Sequence, residues 1–220
     1  MIIFKSSQTL STLAQFLPSN PIIVEAGAFG GSDTLAISRQ WPTATIHAFE
    51  PVPEIYDHLC ANTQHNTHIH RYPYALSNHN GTATLYISEK PTKPGIASQA
   101  GSLHKPKERL NLSPMIFPRT TTVQTVTLPT WAAQNNVHQI DLLWLDTQGH
   151  ELTILKATEA FLPHVKVILT EVAFIESYEN IPLYQDMVTW LDNQGFAHIG
   201  RDFQDTSQSF FGNALFVRNI

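Results

Sequence analysis

One stretch constrains the chain more than any other. Ile22-Ile23-Val24 is an apolar, β-branched run that reads as a buried strand. It leads into Glu25-Ala26-Gly27-Ala28-Phe29-Gly30-Gly31-Ser32-Asp33-Thr34, and Leu35, Ala36 and Ile37 follow with helical spacing. Strand, glycine turn and helix in that order bring backbone close to a nucleotide-like ligand and aim a helix N-terminus at it. Glycines allow positive φ in such a turn and keep side chains off the ligand.

The next strand narrows the ligand. Residues 45–49 form a second apolar run, and it ends in Glu50-Pro51. An acid at the tip of the second strand of a βαβ unit is placed to accept both hydroxyls of a ribose. Dinucleotide sites follow G-x-G-x-x-G, with pyrophosphate on the helix N-terminus. Here Glu25 stands two residues before Gly27. A carboxylate there would repel pyrophosphate but favour a cationic guest. S-adenosylmethionine is cationic at its sulfonium and amine and has no phosphate, so the charge pattern favours it over NAD. A nicotinamide-dependent oxidoreductase remains the alternative, since Glu50 suits NAD equally well.

These residues resemble the FkbM-type S-adenosylmethionine-dependent methyltransferases. Their first motif, D-x-G-A-N-x-G-x-x-T, stands here from Glu25 to Thr34, with Glu for Asp and Phe29 for Asn. Phe49-Glu50-Pro51, Ala75-Leu76-Ser77 with Gly81, and Gly101-Ser102-Leu103 match further on. Asp141 to Glu151 matches D-x-x-K-I-D-x-E-G-x-E, with Trp144 where Lys is usual and Gln148 where Glu is usual. The resemblance implies an α/β, Rossmann-like class I methyltransferase fold: a mostly parallel sheet of about seven strands, a terminal antiparallel strand, and helices on both faces. It also implies a cofactor site of Glu25, Gly27, Ala28, Phe29, Gly30, Gly31, Thr34, Glu50, Pro51, Ala75 and Asp146. In that site Glu25 serves the amino-acid portion, partly through water. Glu50 takes the ribose, and the Tyr74-Ala75 region lies near the adenine.

The rest of the chain fits one domain over residues 1–220. Residues 1–20 form a helical extension, with Leu10, Leu13, Ala14 and Leu17 on one face. Helices are expected over 32–41 and 53–63, the second with Ile55, Leu59 and Ala61 inward. One strand is expected over 68–76 and an antiparallel one over 82–87. Strand-like alternation over 120–128 precedes a short helix from Pro129. Strands follow at 140–145 and 165–172, a helix at 183–191, and closing strands at 196–199 and 214–217. Prolines interrupt residues 89–119, which read as a lid or substrate loop. Six cations gather there, Lys90, Lys93, Lys105, Lys107, Arg109 and Arg119, and they hint at an anionic group on the substrate.

Composition bounds the partners. A net charge of −5 argues against a bulk nucleic-acid binder. The single cysteine, Cys60, excludes an intrachain disulfide. No apolar run approaches a membrane span, and the apolar start is too short for a signal-peptide core, so a cytoplasmic protein is the expectation. The expected partner is a small-molecule substrate, anionic or glycosylated; no nucleic acid and no membrane are expected, and a homodimer is compatible.

For chemistry, Glu25, Glu50, Asp146 and Glu171 fall at or near strand carboxyl ends, where open α/β sheets bind ligands. Methyl transfer to a hydroxyl needs positioning and removal of a proton. Asp146 and His150 are the first catalytic candidates, His150 being read as one helical turn beyond Asp146; His104 is the next. Asp146, His150, Glu151 and Glu171 are the residues able to hold Mg²⁺, but they lack a tight ligand spacing, so no metal is expected. A non-catalytic module that keeps the cofactor pocket is the remaining alternative. Its support is the departures at Phe29, Trp144 and Gln148.

Overall fold

The computed structural model describes residues 1–112, 114–204, 206 and 209–219. Its main sheet is built from β1 (Ile2–Ile3), β2 (Ile22–Ala26), β3 (Thr45–Phe49), β4 (Ile69–Tyr72), β9 (Ile140–Leu145), β10 (Val165–Ala173), β11 (Phe196–Arg201) and β12 (Phe211–Arg218). The order across the sheet is β1-β11-β12-β10-β9-β2-β3-β4. All neighbours pair in parallel except β12, which runs antiparallel to both β10 and β11. The mostly parallel sheet with a late antiparallel strand matches the expectation. The extra strand is β1, which the reading of residues 1–20 as helical did not include.

Both faces of this sheet are covered, which is why its central strands read as unbroken apolar runs. Val24, Ala26, Leu143 and Leu145 pack on α5 (Leu128–Gln134), α6 (Glu151–Ala157) and α7 (Tyr184–Asn193) through Trp131, Leu155 and Met187. Ile23, Ile46, Leu142 and Leu169 pack on α1 (Thr9–Leu13), α2 (Ser32–Gln40) and α3 (Pro53–Thr63) through Leu13, Ile37 and Leu59. The inward set of α3 differs from expectation by one position: Ile55 and Leu59 are buried, Ala61 is exposed, and Thr63 takes the third inward place.

A second sheet was not foreseen. It consists of β5 (Tyr74–Leu76), β6 (Gly81–Lys90), β7 (Lys93–Ala97) and β8 (Ile116–Val126), in the order β5-β8-β6-β7. The strand expected over 68–76 is two strands in two sheets. Tyr72 pairs with Phe49, and Tyr74 pairs with Gln124. Pro73 between them has no N–H to donate to a ladder, so the chain changes sheets there. The 89–119 segment, whose residue 113 lies outside the described residues, is correspondingly more regular than a loop. It contains the ends of β6 and β8, all of β7, and α4 (Arg109–Leu112). One irregular stretch, residues 98–108, reaches the turn after β9, where Ser102 Oγ donates to the Gln148 carbonyl at 2.7 Å.

The second sheet has a small core of its own. Ala75, Leu85, Ile87 and Val123 pack against Val52 and Ile55 from the loop and helix after β3. This contact sets the sheet as one wall of a cleft whose floor is the carboxyl ends of β2, β3 and β9.

Candidate active site

A cavity of about 420 Å³ lies between the two sheets, within the ~300–1,000 Å³ range of small-ligand sites. Its floor is the β2–α2 turn, the β3 tip and the β9–α6 turn. Its walls are the second sheet, the 98–103 stretch, Arg109 and Phe211.

The floor begins with the glycine turn. Gly27, Phe29 and Gly31 have φ of +88°, +48° and +84°. At Gly27 a Cβ would overlap the Asp146 carbonyl, so glycine lets β2 and β9 close together at their ends. The Gly27 and Ala28 amides both donate to the Phe49 carbonyl, at 3.1 and 3.0 Å. Phe29 holds a left-handed conformation, which Asn adopts more readily than a bulky residue. That is a physical reason for the Asn in the related motif. The Phe29 ring packs against the second sheet's core instead of making a polar contact.

Glu50 ties the turn to α3. Its Oε2 accepts from the Phe29 amide at 3.1 Å and its Oε1 from the Val52 amide at 2.8 Å. The carboxyl is 5% exposed and faces the cavity. Burial lifts its pKa to about 7 against the two amide bonds, which act the other way. Each oxygen keeps a lone pair for a ligand hydroxyl.

The expected site residues divide into two groups. Gly27, Ala28, Phe29, Glu50, Pro51, Ala75 and Asp146 line the cavity. Glu25, Gly30, Gly31 and Thr34 are outside the lining. The Glu25 side chain lies under the turn and not on the cavity surface, and Thr34 Oγ1 donates to it at 2.6 Å. Its pKa is pushed to about 8, chiefly by burial. Trp144 sits beside it in register on β9, an indole where the related motif has a cation. Enclosure under the turn thus disfavours the ionised form of Glu25. Gly30 has a holding role, its carbonyl accepting from Asn62 Nδ2 at 2.8 Å. Thr34 serves Glu25.

Besides Glu50, the acidic side chains lining the cavity are Asp33, Asp146 and Glu171. Gln148 organises the last two. Its Nε2 donates to Asp146 Oδ1 at 2.8 Å and to Glu171 Oε2 at 2.9 Å. A Glu at 148 would add a third carboxylate to this cluster, whereas Gln supplies donors to it. Burial raises both carboxyls, Glu171 well above its usual value because Asp146 and Glu151 also bear on it. Glu151 points away from the cavity. It accepts from the Thr147 and Gly149 amides at 2.7 and 3.0 Å and clamps the β9–α6 turn. No cluster among the described residues could hold a metal ion.

His150 does not share a helical face with Asp146. It is the N-cap of α6, reached through a turn in which Gln148 and Gly149 have φ of +56° and +102°. The turn aims its ring at the second sheet and the 98–108 stretch. His104 Nδ1 lies 3.1 Å from the Glu179 carbonyl, His104 Nε2 lies 3.0 Å from His150 Nδ1, and His150 Nε2 lies 3.0 Å from Ser77 Oγ. A carbonyl only accepts, so His104 carries its proton on Nδ1. With both rings neutral, His150 Nδ1 then donates to His104, and His150 Nε2 accepts from Ser77. Burial lowers both pKa values, His150 to about 3. Both His150 nitrogens are thus engaged within the protein, although the ring borders the cavity.

The donor set fits S-adenosylmethionine. Glu50 offers a buried diol acceptor, Ile55, Ala75, Leu85 and Ile87 offer an apolar slot, and the carboxylates beyond the turn suit a cation. Among the described lining residues Arg109 is the sole cation, and it neighbours Phe211 and not the glycine turn. No basic group waits there for a pyrophosphate. Sequence reasoning missed Arg109 and Phe211 as lining residues; Phe211 lies on an antiparallel strand, far from any motif.

Comparison with known proteins bears on this site. The family described as the methyltransferase FkbM domain matches residues 25–197. The 2-O-methyltransferase NoeI of Sinorhizobium fredii is 27% identical over 166 residues, covering 74% of this chain and 68% of that protein. The methyltransferase sdnD of Sordaria araneosa is 28% identical over 200 residues, covering 82% and 75%. Among solved structures, the magnesium protoporphyrin IX methyltransferase of Synechocystis PCC 6803 with bound SAM has a similar fold. Its TM-score is 0.53 at 12% identity, over 96% of this chain and 79% of that one.

Proposed function

The chain belongs to the methyltransferase FkbM domain family, and from that premise we propose that it methylates a hydroxyl oxygen of a small molecule or sugar. Its cofactor is S-adenosylmethionine, which sets the nicotinamide reading aside. The hydroxyl acceptor draws support from the Sinorhizobium fredii relative, whose name specifies 2-O-methyl transfer.

When bound, S-adenosylmethionine supplies an electrophilic methyl group on a sulfonium. The protein's share is positioning and proton removal. Glu50 holds the ribose hydroxyls, with Pro51 and Ala75 beside it on the adenosine flank. Asp146 stands at the switch point between β2 and β9, where the strand order reverses. Its Oδ1 is engaged by Gln148, and its Oδ2 has no hydrogen bond among the described residues. In this reading Asp146 Oδ2 takes the acceptor's proton as the oxygen gains the methyl group. A raised pKa suits a general base better than the low value at His150. His150 is then a positioning residue that holds the 98–104 stretch over the cavity through His104. That stretch serves as the substrate loop of a single domain.

The observation that carries the proposal is Glu50 facing a cavity that Asp146 also lines. Calorimetry with S-adenosylhomocysteine tests it, together with methyl transfer to a panel of sugars and small hydroxyl compounds. Glu50→Ala should weaken binding by at least about tenfold, the scale of one lost charge-assisted contact. Asp146→Asn should lose turnover even at saturating S-adenosylmethionine. Methyl transfer that survives Asp146→Asn unchanged would remove the proton-acceptor role.

A further inference from the structure

The structure sorts the six cations of residues 89–119. Lys105 pairs with Glu179 at 3.2 Å, and Lys107 pairs with Glu176. Arg119 bridges Glu89 and Glu54 at 2.7 and 2.6 Å. Lys90 and Lys93 stand exposed at the β6–β7 hairpin. Arg109 alone is 93% buried and borders the cavity, given its 7% exposure. It has no ion pair among the described residues, and its Nε is buried without a hydrogen-bond partner. The turn that carries it is fixed, since the Arg109 amide donates to the Ser177 carbonyl at 2.8 Å.

A buried guanidinium with no carboxylate at ion-pair distance is costly unless an anion completes it through the part that borders the cavity. Its location says which part of the ligand does so. Glu50 and Ala75 mark the adenosine flank, over β3 and β5. Arg109 lies over the opposite flank: its guanidinium is 5.5 Å from the Phe211 ring centroid on β12, and its charge acts on Asp146 and on Glu171 of β10. In the sheet order, β10 and β12 lie beyond β9, on the far side of the switch point from β3.

We propose that Arg109 anchors an acidic group of the methyl acceptor, a carboxylate or a sulfate or phosphate ester, with the Phe211 ring as an apolar platform beside it. The inference rests on the methyltransferase reading and names the acceptor class: hydroxyl compounds that carry a fixed negative charge. The planar fork of a guanidinium matches such oxyanions through paired donors. Asp146 and Glu171 bound the same flank, so the acidic group must sit against Arg109 and away from them. That arrangement orients the acceptor as well as holding it.

Calorimetry on protein saturated with S-adenosylhomocysteine tests this with matched probes. These are D-glucuronate against D-glucose, and 4-hydroxybenzoate against 4-hydroxybenzamide. The wild type should prefer the acidic member of at least one pair by about tenfold or more, one charge-assisted contact. Arg109→Gln should abolish that preference and Arg109→Lys should retain part of it. Both variants should bind S-adenosylhomocysteine within about threefold of wild type, which also reports that they fold. Equal binding of the members of both pairs, or a preference unchanged in Arg109→Gln, overturns the proposal. So does an S-adenosylhomocysteine affinity that collapses in Arg109→Gln, which would place the guanidinium on the cofactor's own carboxylate. A wild type that binds no S-adenosylhomocysteine would strike the cofactor reading itself, and this inference with it.

Discussion

Glu50 changes charge across the neutral range, because burial lifts its carboxyl to about 7. Its ionised form is the better acceptor for a ribose diol. Binding of S-adenosylhomocysteine should therefore tighten by roughly tenfold between about pH 6 and 8, as the ionised fraction climbs. Glu50→Gln should bind weakly and with a flatter profile; calorimetry across that range decides, and an unchanged slope in the variant would assign the titration elsewhere. The position of Glu50 was legible in the sequence, since an acid at a strand tip is a local pattern. The fate of Glu25 was not. Its raised pKa comes chiefly from enclosure under the turn, which is not visible in residues 25–34. Arg109 was hidden for a related reason. Among six cations in one segment, only the folded chain decides which ones meet carboxylates.

At the scale of elements, the strand–turn–helix unit rests on the approach of β2 to β9. The Asp146 amide donates to the Ala26 carbonyl at 3.0 Å, and Gly27 then turns away with φ of +88°. Gly27→Ala places a methyl group on the Asp146 carbonyl and demands a left-handed conformation of alanine. The expected cost is roughly 3–5 kcal/mol, the range of severe backbone and packing changes. Denaturant unfolding measures it, and a loss below about 1 kcal/mol would show that the two strand ends separate easily. The central strands could be read from the sequence because they are apolar on both faces and local in pattern. The second sheet could not. Its β8 is largely open to solvent along its first half and contains Pro118, so it looks like loop. Pro73 divides an apparently continuous strand, and only the pairing partners reveal the division.

Across the whole molecule, two sets of buried groups pull stability in opposite directions with pH. Glu25, Glu50 and Glu151 have pKa values near 8, 7 and 7 in the fold, against about 4.3 for an unfolded glutamate. The native state holds protons that the unfolded chain has lost, so their contribution is fully present below about pH 4.3 and is lost progressively as pH rises to about 7 to 8. His47, His104, His150 and His198 are lowered by burial. Below about 6.5 the unfolded chain takes up protons at these histidines that the fold refuses, so stability also fades with acid. Below about pH 6.5 the two slopes oppose each other, and above it only the carboxyl loss remains, so the ligand-free protein should lose several degrees of melting temperature between about pH 6.5 and 8. Glu25→Gln, which can still accept from Thr34, should flatten the alkaline side of that curve, because its side chain never has to ionise in the core. Saturating S-adenosylmethionine should flatten it too, since a cation is favoured by the carboxylates that ionise there. Calorimetric melting with and without the cofactor reads both effects. A ligand-free melting temperature that climbs steadily from pH 6.5 to 8 would mean that these carboxyls are hydrated in solution. The cavity would then lack the low-dielectric floor on which the placement of Glu50 and Asp146 depends.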